Sequence, residues 1–178
     1  MKILITDIDN VLTNDAGLES DAMDFLTGAH EKFFIVILTN SPAKETQERI
    51  KTLGISQHVD FVISAGDYEM AKPDSRMVNV LLAILNAESK KFGKSDLIVI
   101  GDKPDRDIKL ANTAGVQSIR IRRGKYSSQE PEYSDEVAKI EVKSLSELGP
   151  VLGIAAKKEE ITPEKKARRK VQLKRSAK

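Results

Sequence analysis

Three stretches of the chain, Ile3–Ile5, Phe33–Leu38 and Leu97–Ile100, are apolar from end to end. A strand with one wet face alternates apolar and polar residues. A continuous β-branched run is buried on both faces, as in the inner strands of a helix-covered parallel sheet. Shorter runs at Val59–Ile63 and Val116–Ile121 read as further strands, and Val137–Val142 as a short edge strand. Between them, helical spacing predicts helices over Leu18–Lys32, Pro42–Leu53, Asp74–Lys91, Asp105–Ala114 and Ser144–Leu152. Ser41 suits an N-cap before Pro42, and Gly54 and Gly115 are natural helix stops. Strands alternating with helices give an α/β fold: a Rossmann-like parallel sheet sandwiched by helices in three layers, with right-handed crossovers.

A length of 178 residues suffices for one domain with a good core. The net charge of +2 hides an asymmetry: from Lys157 onward ten Lys/Arg face three Glu, roughly +7, which leaves the rest near −5. The expected organisation is a mildly acidic core at 1–153 and a basic tail at 154–178, helical or disordered. There is no Cys, which excludes disulfides and thiolate chemistry, and His30 and His58 lack ligand-like spacing. Both histidines read as surface or helix-end residues. No run approaches membrane-spanning length and no leader opens the chain, so a cytoplasmic protein with no membrane partner is expected.

The polar residues that interrupt these runs all fall at strand carboxyl ends, where open α/β sheets bind ligands. Asp7 and Asp9 follow the first strand and, two residues apart, leave it on the same side. Thr39 ends the second, Asp102 ends the fourth, and Lys72 opens the helix after the third. Each has a plain structural explanation alone, as turn residue, cap or solvated cation. Together they suit phosphoryl transfer. Acidic side chains can hold Mg²⁺, a hard ion that prefers oxygen ligands. Lys72, the Thr39 hydroxyl and the backbone N–H groups of Asn40 and Ser41 can neutralise phosphate oxygens, aided by the helix start at Pro42. One carboxylate can act as nucleophile, and a second can manage the proton.

In this order the motifs resemble the haloacid dehalogenase-like hydrolase superfamily over residues 2 to 124. Asp7-Ile8-Asp9-Asn10-Val11-Leu12 matches its nucleophile motif and Ile37-Leu38-Thr39-Asn40 the apolar strand ending in Thr or Ser. Lys72-Pro73-Asp74-Ser75-Arg76 matches the lysine motif, and Gly101-Asp102 through Asp107-Ile108 the acidic one. The resemblance implies Asp7 as nucleophile and Mg²⁺ ligand. It implies Asp9 as general acid/base, binding Mg²⁺ through its carbonyl, and Asp102 as a further Mg²⁺ ligand. Thr39, Asn40 and Lys72 hold the phosphoryl group, with Lys72 counted among the catalytic residues, and Asp107 orients the cluster from behind. Asp105 reads as a surface residue. An acid at position 9 is similar to the phosphatases of the family; the true dehalogenases lack one there. Asn10 departs from the Gly of many relatives, although Asn tolerates unusual backbone angles.

About thirty residues separate Asp9 from Thr39, and about as many separate Thr39 from Lys72, all used by core elements. The chain is therefore similar to the capless phosphatases, with no cap domain. In that group substrates are often macromolecular, or a neighbouring subunit of a homo-oligomer covers the site. The nucleophile motif resembles the capless sugar-acid phosphate phosphatases. The lysine and acidic motifs are closer to the phosphoglycolate phosphatase and dehalogenase branch. The implied activity is a Mg²⁺-dependent phosphomonoester hydrolase forming an aspartyl-phosphate, its substrate a phosphorylated small molecule or a macromolecular phosphoester.

Arg122, Arg123 and Lys125, with Arg120 just before them, lie at the end of the fifth strand on the same edge of the sheet. They read either as a substrate-selecting loop or as a solvated basic one. The competing function class is a binding protein that engages nucleic acid or an acidic partner through the basic tail, above a weak or vestigial catalytic core.

Overall fold

The computed structural model describes residues 1–87 and 91–154; all but one residue of the basic tail lie outside that range. Six parallel strands stand in the order β5-β4-β1-β6-β7-β8. They are β1 (Lys2–Thr6), β4 (Phe33–Thr39), β5 (Phe61–Ser64), β6 (Leu97–Gly101), β7 (Gln117–Ile121) and β8 (Ile140–Val142). The chain lays down β1, β4 and β5 outward on one side, then returns to place β6, β7 and β8 on the other. The order reverses beside β1, and that reversal opens a crevice at the strands' carboxyl ends.

Alternate strand residues supply two cores. Leu4, Ile35, Ile37, Ile98, Ile100 and Ile119 pack on one face with α1 (Ala22–His30), α2 (Ala43–Thr52) and α5 (Leu145–Val151). Ile3, Ile5, Val36, Leu38, Leu97 and Val99 pack on the other with α3 (Arg76–Asn86) and α4 (Lys109–Ala114). Burial on both faces explains why these strands are apolar throughout.

The structure departs from the sequence expectations in four places. The helical spacing that begins at Leu18 becomes helix only from Ala22, just past the plausible start at Ser20-Asp21, because Thr13–Asn14 (β2) and Gly17–Leu18 (β3) form a small antiparallel hairpin. Asn14 Oδ1 accepts from the Ala16 amide at 2.8 Å, and Gly17 takes φ 125°, closing the turn. Pro42, not Ser41, occupies the N-cap of α2, and the Ser41 amide donates to Thr39 Oγ1 at 3.0 Å. The helix expected from Asp105 begins as a π-helical turn, Pro104–Ile108, before α4. Finally, α3 ends at Asn86, whose side chain bonds both the amide and the carbonyl of Phe92.

No domain-sized insertion interrupts the described residues between β1 and β6; the hairpin is the one small addition near the site. Ile154, the last described residue, is still buried and donates its amide to Gly149 O at 2.8 Å. Among the described residues no helix is long and apolar enough to cross a membrane.

Candidate active site

The carboxyl ends of β1, β4 and β6 meet at the crevice, and the polar residues that close those strands meet with them. Asp7 follows β1. One of its oxygens accepts from the Ile8 amide at 2.8 Å, and the other accepts from Lys72 Nζ at 2.7 Å. The same ammonium donates to Asp107 Oδ1 at 2.7 Å, so one cation bridges two acids. Lys72 is 7% exposed, and its backbone amide donates to Asn40 Oδ1 at 2.7 Å, which fixes the start of its segment against the end of β4. Burial pulls the Lys72 pKa down, but the charges of Asp107 and Asp7 outweigh it and hold the ammonium above its ordinary range.

Asp7, Asp102 and Asp107 each offer a carboxylate oxygen, all within 4.8 Å of one another. Asp107 is carried in by the π-helical turn, where it packs so closely on the β6 terminus that a Cβ on Gly101 would fall 2.0 Å from Asp107 Cβ. Asp102 is 1% exposed, and neither of its oxygens has a hydrogen-bond partner among the described residues. Its pKa is pushed up to about 7, first by burial and then by Asp107 and Asp7; the Lys103 charge and the Asn10 side chain oppose this only weakly. Burial also raises the Asp7 pKa, with Lys72 pulling against it. Three crowded carboxylates share a single lysine in this buried site. An all-oxygen donor set with an unpartnered buried carboxylate fits a small hard cation such as Mg²⁺.

Asp9 and Asn40, expected to act in part through their backbone groups, send their side chains elsewhere. The Asp9 side chain turns away from this trio, is 59% exposed, and pairs with Arg49 of α2 at 2.6 Å. Asp7 and Asp102 thus lie together with Asp107, the acid expected to orient them, while the role expected of Asp9 at the metal falls to its backbone carbonyl. Asn40 presents its side chain to Lys72 rather than to open space. Thr39, nearly buried, accepts from the Ser41 amide, which leaves its hydroxyl hydrogen free to donate. Asp105 is exposed and accepts from Gln129 at 3.1 Å.

Beside the trio a cleft of about 710 Å³ opens between the hairpin and the loop after β7, with Asp9, Arg49, Lys103, Lys125 and Tyr126 on its walls. Of the three loop cations named in the sequence, Lys125 lines this cleft. Arg122 is tied to Glu130 and to Glu141. Arg123 pairs with Asp21 at 3.0 Å and donates to the carbonyls of Asn10 and Val11. Arg120 is wholly buried and donates to Asp102 O, Tyr126 O and Gln129 O. Arg49 and Lys103 escaped the sequence reading, because a cation on an exposed helix face and a lysine in a loop look like ordinary solvated residues. The one available signal was the position of Lys103 directly after Asp102.

Asn10 adopts φ 55°, and its side chain packs on Gly124, where a Cβ would lie 2.8 Å from Asn10 Oδ1. The departure at this position is therefore accommodated in the left-handed region that Asn tolerates. The histidines lie elsewhere, at the end of α1 and before β5, their rings edge to face at 6.0 Å. His30 pairs with Asp60, whereas His58 is buried rather than at the surface, packed beside Thr27 and Gln57, and burial lowers its pKa.

A parallel α/β sheet with a lysine-bridged acidic trio at its reversal point defines a hydrolase or group-transfer site. The family model of haloacid dehalogenase-like hydrolases matches residues 5–121, and the chain belongs to that family. It is 30% identical over 127 residues, 70% of its length, to a glyceraldehyde 3-phosphate phosphatase of Methanopyrus kandleri, covering 52% of that protein. It is 26% identical over 121 residues to a phosphoserine phosphatase of Thermus thermophilus, covering 67% of this chain and 46% of the relative. The chain thus spans about half the length of the curated relatives it matches. Among solved structures, an uncharacterized protein from Listeria monocytogenes serotype 4b aligns with TM-score 0.71 and 20% identity, over 85% of this chain and 97% of that one. A dehalogenase with an intermediate complex aligns with TM-score 0.65 and 26% identity, over 80% and 58% of the two chains.

Proposed function

We propose that the chain is a Mg²⁺-dependent phosphomonoester hydrolase that works through an aspartyl-phosphate on Asp7. The observation that carries this reading is the pairing of a buried Lys72 ammonium, 2.7 Å from both Asp7 and Asp107, with the unpartnered Asp102 carboxylate beside them. Burial raises the Asp7 pKa, and the Lys72 ammonium at 2.7 Å opposes it, favouring the ionised carboxylate that a nucleophile requires. Asp7 and Asp102, with the Asp9 carbonyl, would hold the ion, and Asp107 would fix Lys72 behind them. When bound, the ion supplies positive charge against the phosphoryl oxygens and lets the carboxylates share one site.

In the first step an Asp7 oxygen attacks phosphorus and the ester P–O bond breaks. The leaving alkoxide takes a proton from Asp9, which must first leave Arg49 and turn inward. In the second, Asp9 takes a proton from water, the hydroxide attacks phosphorus, and the Asp7–phosphate bond breaks. Inorganic phosphate departs and the Asp7 carboxylate is restored. Lys72, the Thr39 hydroxyl and the Asn40 amide would face the phosphoryl oxygens, with the Ser41 amide, bonded to Thr39 Oγ1, holding that hydroxyl in place. Relatives named for glyceraldehyde 3-phosphate and phosphoserine favour a small phosphorylated metabolite over a macromolecule.

Hydrolysis of p-nitrophenyl phosphate tests the reading. Wild type should turn over only with Mg²⁺, and Asp7→Asn should lose at least about a thousandfold in kcat. Equal turnover by the variant would remove Asp7 from the role.

A further inference from the structure

We propose that the cleft beside the acidic trio is an anion subsite, formed by Lys103 and Lys125 about Tyr126, that selects phosphomonoesters carrying a second anionic group. The proposal rests on the phosphatase reading above and adds the substrate class to it. The shared chemistry of that second group is a carboxylate or a further phosphate.

The loop that carries Lys125 and Tyr126 is held by three arginines. Arg120 grips the Tyr126 and Gln129 carbonyls at 2.9 and 2.7 Å, and Arg122 grips the Ser127 carbonyl at 2.8 Å. Arg123 ties the loop's start to the Asn10 and Val11 carbonyls of the nucleophile loop. Gly124 sits against Asn10 with no room for a side chain. A loop fixed by this many contacts presents its remaining cation in a set place, and that ordering cost is met before any ligand arrives.

The Tyr126 ring then organises the ammonium groups, with Lys103 Nζ 4.2 Å and Lys125 Nζ 5.5 Å from its centroid. Among the described residues neither lysine has a carboxylate within salt-bridge distance, although both line a cleft that contains acids. Asp9 in that cleft is paired with Arg49 at 2.6 Å, which leaves Asp15 to face two ammonium groups. The balance is positive where a substrate's far end would lie. Position agrees: Lys103 directly follows Asp102 of the trio, and Arg49 also lines the smaller recess that holds Thr39 and Ser41. A phosphoryl group at Thr39 and Lys72 would send the rest of its molecule into this cleft.

The test is calorimetric binding of non-hydrolysable phosphonates to the full chain with Mg²⁺. ω-Carboxyalkyl phosphonates, from phosphonoacetate to 4-phosphonobutyrate, are compared with n-alkyl phosphonates of equal length, and alkyl bisphosphonates form a third arm. At least one doubly anionic series should bind about tenfold tighter than its alkyl partner, and the better arm shows which second anion is preferred. In Lys103→Met/Lys125→Met that ratio should fall toward one. The single Lys125→Met change, at an exposed residue, should lower it in a chain whose folding is not in question. Ratios within twofold at every length, no binding by either series, or a preference that survives both variants would overturn the subsite. Phosphonate binding needs no turnover, so loss of Asp7-dependent hydrolysis would refute the enzyme while leaving this result legible.

Discussion

Asp102 brings two carboxylate oxygens into a buried site with no donor for either, beside two further acids. A carboxylate so placed costs stability in the metal-free chain, because burial and like charge both disfavour its ionised form. Asp102→Asn keeps the shape and removes the charge. In Mg²⁺-free buffer at neutral pH the variant should melt higher than wild type by roughly 3–8 °C. The stabilisation of wild type by added Mg²⁺ should be absent from it. A lower melting temperature without metal would show that the charge is compensated in a way this geometry does not provide. Site residues of this kind trade stability for binding.

At the scale of elements, the nucleophile loop is held in place from outside its own strand. Arg123 bonds the Asn10 and Val11 carbonyls and pairs with Asp21, the residue before α1, while Glu19 lies 3.6 Å from it. Asp21 Oδ2 also accepts from the Ser146 amide of α5 at 3.1 Å, so one arginine and one acid join the loop after β7 to two helices. Burial raises the Asp21 pKa, but the Arg123 hydrogen bond, the amides of Ser146 and Leu145 and the Arg123 charge outweigh it and leave the carboxyl below its ordinary range. A carboxyl depressed in the folded state contributes stability above its unfolded pKa and loses it as pH falls through the folded value. The melting-temperature advantage of wild type over Asp21→Asn should therefore be full at pH 7, shrink below about pH 4, and vanish in stronger acid. An advantage independent of pH would mean that shape rather than charge matters there.

For the whole molecule, the sheet order places the site at the one point where the chain reverses beside β1, with the helices below closing both cores. That packing continues through Ile154, which joins the core of α1 and α5 one residue past the expected 1–153 boundary. Cutting the chain after Ala156 should leave the melting temperature and small-substrate turnover unchanged. Cutting after Gly153 should cost about 2 kcal/mol by exposing the Ile154 site, read as a shift in the denaturation midpoint. If the first truncation abolished turnover, the basic segment would have a part in the reaction itself. Weaker salt-sensitive nucleic-acid binding in the first truncation, with turnover intact, would assign the basic segment a separate task.

Much of the sheet was legible in the sequence, since runs such as Phe33–Leu38 and Leu97–Ile100 can be buried on both faces in few ways. The residues ending those runs were legible for the same reason: Asp7, Thr39 and Asp102 interrupt apolar strands where the sheet opens. The hairpin at Thr13–Leu18 was hidden because two-residue strands carry no periodicity. Nor could the chain alone say which of the five cations near this edge would be tied down and which would face the cleft. Arg120, Arg122 and Arg123 bond carbonyls and acids up to about a hundred residues away, whereas Lys103 and Lys125 are left facing the cleft. Local sequence determined the strands and the acids at their ends, through burial and side-chain alternation. Only the tertiary structure decided that one lysine bridges Asp7 and Asp107 while Asp9 turns out to Arg49, because those partners come from separate elements and meet only when the sheet is assembled.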